Sequence, residues 1–179
     1  LSAVAHKHDR PVFAHPSDQA GLDAAIEGGA DILAHSAHDA GPFSPELVAR
    51  LKARNMALVP TLTLFDVDGR SPGESDESHA RYMAVVLQQV KAVKDAGLDI
   101  LFGTDVGYID VVDTTTEYRL MGQVMTWREI LASLTTTPAR RFGKAADTGQ
   151  VAPGLAADLV VLDADPATEL ADRLAEGPP

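Results

Sequence analysis

Three short apolar runs each stop on a side chain that can bind a metal: VFAH on His15, DILAH on His35 and DILFGTD on Asp105. Apolar runs of this kind, bounded by turn formers, predict buried strands. Helical patterns lie between them. Pro11–His15 is the first predicted strand, and SDQAGLDAAIEGG carries a helix opened by Ser17 or Asp18 and stopped by Gly28 and Gly29. Ala30–Ser36 is the second strand. The helix of SPELVARLKARN has Ser44 as cap, Pro45 in its first turn and Asn55 at its end. MALVPTLTLF (Met56–Phe65) is the third strand, and DVDGRSPGESDE is expected as a mobile loop over the mouth of the sheet. A helix from His79 through Ala96, closed by Gly97, leads to the fourth strand, DILFGTD. Strands separated by helices imply a parallel sheet with right-handed crossovers. A strand that ends on His or Asp then places that group at the mouth, where barrel enzymes assemble their chemistry.

The rhythm changes after Asp105. A loop rich in Asp and Thr precedes helical stretches at Thr126–Leu134 and Pro138–Phe142, and TGQVAPGLAADLVVLDADP then predicts β-structure outside the barrel rhythm, with turns at Gly149 and Gly154. The expected division is residues 1–145 as a partial barrel, 146–166 as a β-segment and 167–179 as a tail.

Composition narrows the function classes. The 179 residues, 45% hydrophobic and 23% charged, suit one core and not two large domains. A net charge of -11, from 26 acids against 15 bases, argues against nucleic acid or an anionic membrane as partner. With no cysteine, a metal must be held by His and carboxylate, which suits Zn, Mn, Fe or Co. No apolar stretch approaches the ~20 residues of a membrane span, so a soluble and preferably cytoplasmic protein is expected. The chain begins at Leu1 without Met, inside what reads as a helix end, so nothing follows about a signal peptide.

The succession VFAHP, DILAHS, ILFGTDVG, TTTPARRFG and GQVAPGLAADLVVLDADP resembles the metal-dependent amidohydrolases, most closely their imidazolonepropionase-like and prolidase-like branch. The resemblance covers Pro11 to Pro166, and its specificity lies in the order and spacing of motifs that are individually weak. It implies an α/β fold: strands five to eight of a (β/α)8 TIM barrel, plus C-terminal β-strands of a small composite sandwich. It also implies site roles. His15 and His35 would bind one ion of a binuclear pair. Asp105 would bind the other and act as base toward a metal-bound hydroxide that cleaves an amide or cyclic-amide C–N bond. The cofactor is then a divalent metal, zinc first, one or two ions in the complete enzyme. The substrate is a small-molecule amide of dipeptide, N-acyl amino acid or imidazolone type.

Two parts of the family pattern lie outside these residues: the His-x-His pair ending the first strand, and the carboxylated Lys of the fourth. HKH at His6–His8 is not preceded by a strand and is not read as that pair. A catalytic zinc site needs about three protein ligands and a TIM barrel about 250 residues. The chain is therefore expected to be truncated and inactive alone, with the first half of the barrel as its missing partner and self-association as the other way to cover its edges.

Plainer readings stand beside these. A strand-end His is often a hydrogen-bonded core residue, and Asp105 could fill a turn. His38 could touch substrate, or be a solvated loop residue. Thr61 and Thr63 could line a pocket or pack a strand, and Tyr108 could shape the pocket or anchor a loop. His79 is expected on the surface, and Glu117 and Arg119 are expected outside the site, since Glu near a capping Thr suits a helix start. Arg140 and Arg141 are expected to face solvent or pair with surface acids, and Asp158 to be structural. Two alternatives to the amidohydrolase remain: a non-catalytic half-barrel binding module, and a mononuclear deaminase in which His35 orients substrate without ligating.

Overall fold

The computed structural model describes residues 1–70, 73, 75–162, 165 and 167. At its centre lies a parallel sheet of three short strands, β1 (Phe13–Ala14), β2 (Ile32–Leu33) and β3 (Ala57–Leu58), in the order β1-β2-β3. Phe13 lies beside Ile32 and Ile32 beside Ala57, so like-facing side chains form rows across the sheet. The predicted fourth strand is reduced to one parallel bridge, Leu58 with Ile100, supported by Leu58 N–H to the Asp99 carbonyl (3.0 Å) and Leu101 N–H to the Leu58 carbonyl (2.9 Å).

Alternation along the strands sorts the side chains into two layers. Leu33, Leu58 and Ile100 join the main core with Leu22, Ile26, Leu47, Leu51, Val86, Val90 and Val93 from the helices. Ile32, Ala57 and Leu101 form a second, smaller cluster on the other face. Phe13 stands on that second face, 50% exposed.

The helices begin where local chemistry requires. α1 spans Ser2–His6, in keeping with the helix end read at the start of the chain. α2 (Gln19–Glu27) starts at Asp18, whose carboxylate accepts from Gly21 N–H, and ends at Gly28, followed by Gly29 at φ 75°. α3 (Pro45–Ala53) starts at Ser44, whose hydroxyl accepts from Leu47 N–H, with Pro45 in the first turn. α5 (Asp76–Asp95) presents Met83, Val86, Val90 and Val93 to the core, together with the wholly buried Gln89. The Gln89 amide accepts from Ala37 N–H (3.0 Å) and donates to the carbonyls of Ala37 (2.8 Å) and Gly41 (2.6 Å). It thereby fixes the loop after β2. α7 (Trp127–Leu134) opens on a reciprocal capping box between Thr126 and Glu129. α8 (Thr136–Arg141) lies at the starting ends of the strands: Arg141 donates to the carbonyls of Asp31 (3.0 Å) and Asn55, and Arg140 pairs with Asp99 at 2.5 Å. Arg141 also lies 3.5 Å from the Asp99 carboxylate, so it ties the starts of β2 and β3 to Asp99 and pairs with an acid, as one of its two expected roles had it.

Three expectations are corrected here. Met56–Phe65 is not one strand, because Pro60 lacks an N–H for the ladder and Thr61 turns left-handed (φ 46°, ψ 52°), after which α4 runs Leu62–Asp68. The start of the predicted mouth loop is therefore the end of that helix. A further helix, α6 (Thr115–Met121), stands in the Asp- and Thr-rich stretch expected as loop. Within 146–162 no strand is described, and Val151, Leu159, Val160, Val161 and Leu162 are exposed. A strand needs a strand neighbour to satisfy its backbone groups, and no described strand pairs with this segment. The last residues of that expected β-segment, and all but Ala167 of the expected tail, lie outside the described residues. Among the described residues no helix is long and apolar enough to cross a membrane.

Candidate active site

His15 directly follows β1, and His35 lies two residues past β2, so the parallel register delivers both imidazoles to the same rim. Their rings meet edge to face, centroids 4.2 Å apart and planes at 88°. His15 is exposed, whereas His35 is 7% exposed. His35 Nδ1 lies 3.4 Å from the Ser36 carbonyl. Donation along that contact selects the tautomer in which Nε2 keeps its lone pair, the form a metal requires.

Electrostatics at His35 fit the same use. Burial, and then the neighbouring His15, hold its pKa below the usual imidazole range, while the Ser36 carbonyl and the Asp105 carboxylate pull it back up. Asp105 acts on His35 as the smallest of these influences. It is exposed and left-handed (φ 61°), a conformation that Asp tolerates better than most residues. Among the described residues, no three His, Asp or Glu side chains, His15, His35 and Asp105 included, stand close enough to hold a metal ion together. The donor set is a pair of nitrogens with a carboxylate nearby, which suits a borderline divalent cation and lacks a full coordination shell.

The remaining candidates are placed differently. His38 is half-buried, stacks on Tyr82 with centroids 3.7 Å apart, and lies 3.3 Å from the Asp39 carboxylate. It is not the freely solvated loop residue of the plainer reading. Tyr108 is exposed in the loop after Asp105. Thr61 and Thr63 are buried, at the start of α4 and not in a strand. His79 is buried, and its Nε2 lies 2.9 Å from the Asp66 carboxylate, which also pairs with Arg119 at 3.7 Å. The surface expectation for His79 fails because α5 begins earlier than predicted and turns this residue toward α4. His6 of the HKH stretch bonds Asp31 at 2.8 Å, at the opposite end of the strands.

Glu117 lies in the first turn of α6 as its pattern suggests, but its burial against α4 was not legible from the sequence. Its side chain is completely buried and accepts from Leu62 N–H (2.9 Å), Thr63 N–H (2.7 Å) and the Thr63 hydroxyl (2.8 Å). Burial pushes its pKa above the usual carboxylate range despite these three donors. A cavity of about 400 Å³ lies apart from the imidazole pair, on the inner face of the sheet among Phe13, Val59, Leu101, Phe102, Leu134 and Phe142.

With the strand-end pair in view, comparison with known proteins decides the family. A model of the amidohydrolase family matches residues 1–177. The chain belongs to the amidohydrolase family, and its prolidase-like branch is supported by solved structures. A Bifidobacterium longum protein proposed to be a prolidase is 27% identical, with a TM-score of 0.76 over 94% of this chain and 45% of its own. The ochratoxinase of A. niger is 26% identical, with a TM-score of 0.75 over 94% of this chain and 39% of its own. A Xaa-Pro dipeptidase solved with methionine in its active site shares the fold at 20% identity and a TM-score of 0.76, over 94% of this chain and 43% of its own. This amidohydrolase chain thus spans less than half the length of those structures. No curated protein matches it.

Proposed function

We propose that this chain supplies strands five to eight of a (β/α)8 barrel in a metal-dependent hydrolase that cleaves an amide or cyclic-amide C–N bond. The observation that carries the proposal is the edge-to-face pair of His15 and His35 on one rim, with Asp105 close enough to act on His35 electrostatically. The solved structures support hydrolysis of C–N bonds by their family and by the enzymes among them. Dipeptides, N-acyl amino acids and imidazolones are the proposed substrate classes.

His15 and His35 would hold one divalent cation, zinc first, and Asp105 would face a second. Such a cation activates water and polarises the scissile carbonyl. The chain's own residues do the rest. His35, kept neutral by burial, offers its nitrogen lone pair instead of a proton at neutral pH. Asp105, exposed at the rim, takes a proton from the attacking water and passes it to the leaving nitrogen. Further ligands, a carboxylated Lys among them, would come from the first half of the barrel, whose docking completes the site.

The test joins this chain to the first half of such a barrel, loads zinc, and assays Xaa-Pro dipeptides, N-acyl amino acids and imidazolones. Hydrolysis of one class is expected, with Asp105→Asn lowering kcat by about 10²–10⁴ and His35→Ala weakening zinc binding by calorimetry. A zinc-loaded protein inert toward all three classes, or undiminished by Asp105→Asn, overturns the proposal.

A further inference from the structure

Two adjacent glutamines of α5 hold the loop that follows β2. Gln88 accepts from Phe43 N–H (2.8 Å) and donates to the Phe43 carbonyl (3.3 Å), while Gln89 bonds Ala37 and Gly41. Gln89 is the informative one. It has no exposed surface and shares the buried side of α5 with Val86, Val90 and Val93, where an aliphatic side chain would bury without the cost of an amide. Its orientation is fixed, because turning the amide over would set its NH₂ against the Ala37 N–H and its oxygen against two carbonyls.

What the amide holds is one particular peptide plane. The Ala37 N–H that donates to Gln89 Oε1 (3.0 Å) and the Ser36 carbonyl that faces His35 Nδ1 (3.4 Å) are the two ends of the same peptide unit. They point in opposite directions, because that unit is planar and trans. A line of hydrogen bonds thus runs from Gln89 through the Ser36–Ala37 peptide to the His35 ring, and bonds along such a line strengthen one another. His35, Ser36 and Ala37 are 7%, 1% and 0% exposed, so solvent does not take over either end. Without Gln89 the Ala37 N–H would be buried and unpaired, which favours rotation of the peptide toward another partner. Such a rotation swings the Ser36 carbonyl away from the ring.

We infer that Gln89 is a positioning residue for His35: by fixing the Ser36–Ala37 peptide it keeps the ring proton on Nδ1 and leaves Nε2 bare for a divalent cation. The use of that lone pair by a cation rests on the hydrolase proposal above. The hold of Gln89 on the His35 proton does not.

A role in packing alone would leave the tautomer unchanged, so the tautomer is the first readout. Long-range proton–nitrogen NMR correlations of the chain above neutral pH, assigned through His35→Asn, report which His35 nitrogen carries the proton. The wild type is expected to show Nδ1–H, and a wild-type Nε2–H overturns the inference before any variant of Gln89 is made. Gln89→Met keeps the length of the side chain and drops the amide, and is expected to shift the pattern toward Nε2–H. Should it not fold, Gln89→Asn, one methylene too short, serves the same purpose. Gln88→Met is the control: it loosens the same loop at Phe43 and not at the Ser36–Ala37 peptide, and should leave His35 as in the wild type. An unshifted Gln89 variant, or an equal shift in Gln88→Met, overturns the inference. In a second arm the complete hydrolase is titrated with zinc by calorimetry. Gln89→Met is expected to weaken zinc binding about tenfold, as loss of support behind a ligating imidazole does, with Gln88→Met close to wild type. Unchanged zinc affinity in Gln89→Met overturns the consequence for the cation. A complete protein that takes up no zinc overturns the hydrolase proposal, while the NMR arm still decides what Gln89 holds.

Discussion

Glu117 gives the clearest residue-level consequence of burial. Its pKa is raised in the folded chain above the ordinary 4.5, so between 4.5 and the raised value the native state binds more protons than the unfolded one. By linkage, stability then falls as pH rises through that window, opposite in sign to a salt-bridged carboxylate. Urea unfolding of wild type and Glu117→Gln at a series of pH values is expected to show this decline in the difference between the two, since His35 and the lowered carboxylates contribute the opposite slope to both. A difference that rises over the window contradicts the assignment. The substitution carries its own cost at neutral pH. Replacing a carboxylate that accepts three hydrogen bonds by an amide with one acceptor turns its NH₂ toward donors, which is expected to cost about 1–3 kcal/mol.

At the scale of elements, the starts of α2, α3 and α7 were legible from the sequence because their causes are a few residues away. Asp18, Ser44 and the pair Thr126 with Glu129 each meet N–H groups inside their own helix's first turn. Asp18→Ala and Ser44→Ala are each expected to cost about 1 kcal/mol in denaturant midpoints at unchanged m-value. The start of α4 was not legible, because the carboxylate that governs it lies 54 and 55 positions along the chain from the residues it binds. The parallel register carries His15 and His35 to one rim, where their rings meet, but strand lengths were overread: apolar runs count buried positions, not ladder pairing. Val151 and Leu159 to Leu162 show that limit most plainly: they are exposed, with no strand partner among the described residues. Gly103 supplies an element-scale test of its own. A Cβ there would come within 2.6 Å of Val59 Cγ1, where the segment after Ile100 passes β3. Gly103→Ala is accordingly expected to cost about 1–3 kcal/mol through overpacking, readable as a lowered Tm, and a neutral result would mean that the two segments stand further apart.

For the molecule as a whole, the two faces of the sheet differ in what covers them. The outer face is sealed by α2, α3 and α5 through one continuous core, and the strand starts are tied by Arg140 and Arg141 of α8. On the other face Ile32, Ala57 and Leu101 form a small buried cluster, with Leu134, Pro138 and Phe142 beside it around the cavity. Phe13 and Phe142, stacked with centroids 6.4 Å apart, stand exposed beside the apolar cavity of about 400 Å³. On the proposed barrel this face would be a packed layer contributed by alternate strands from all sides, and the exposed residues would then become core. The chain alone is then expected to bind the dye ANS, and mixing or co-expression with the first half of the barrel should suppress that fluorescence as the face is covered. Phe13→Asp tests the geometry of that covering: it should leave the outer core and the helical circular dichroism unchanged, yet weaken association with the other half, because an unpaired carboxylate would enter an apolar layer. Undiminished association of the Asp variant would place the partner strands elsewhere, and with them the missing ligands of the His15 and His35 rim.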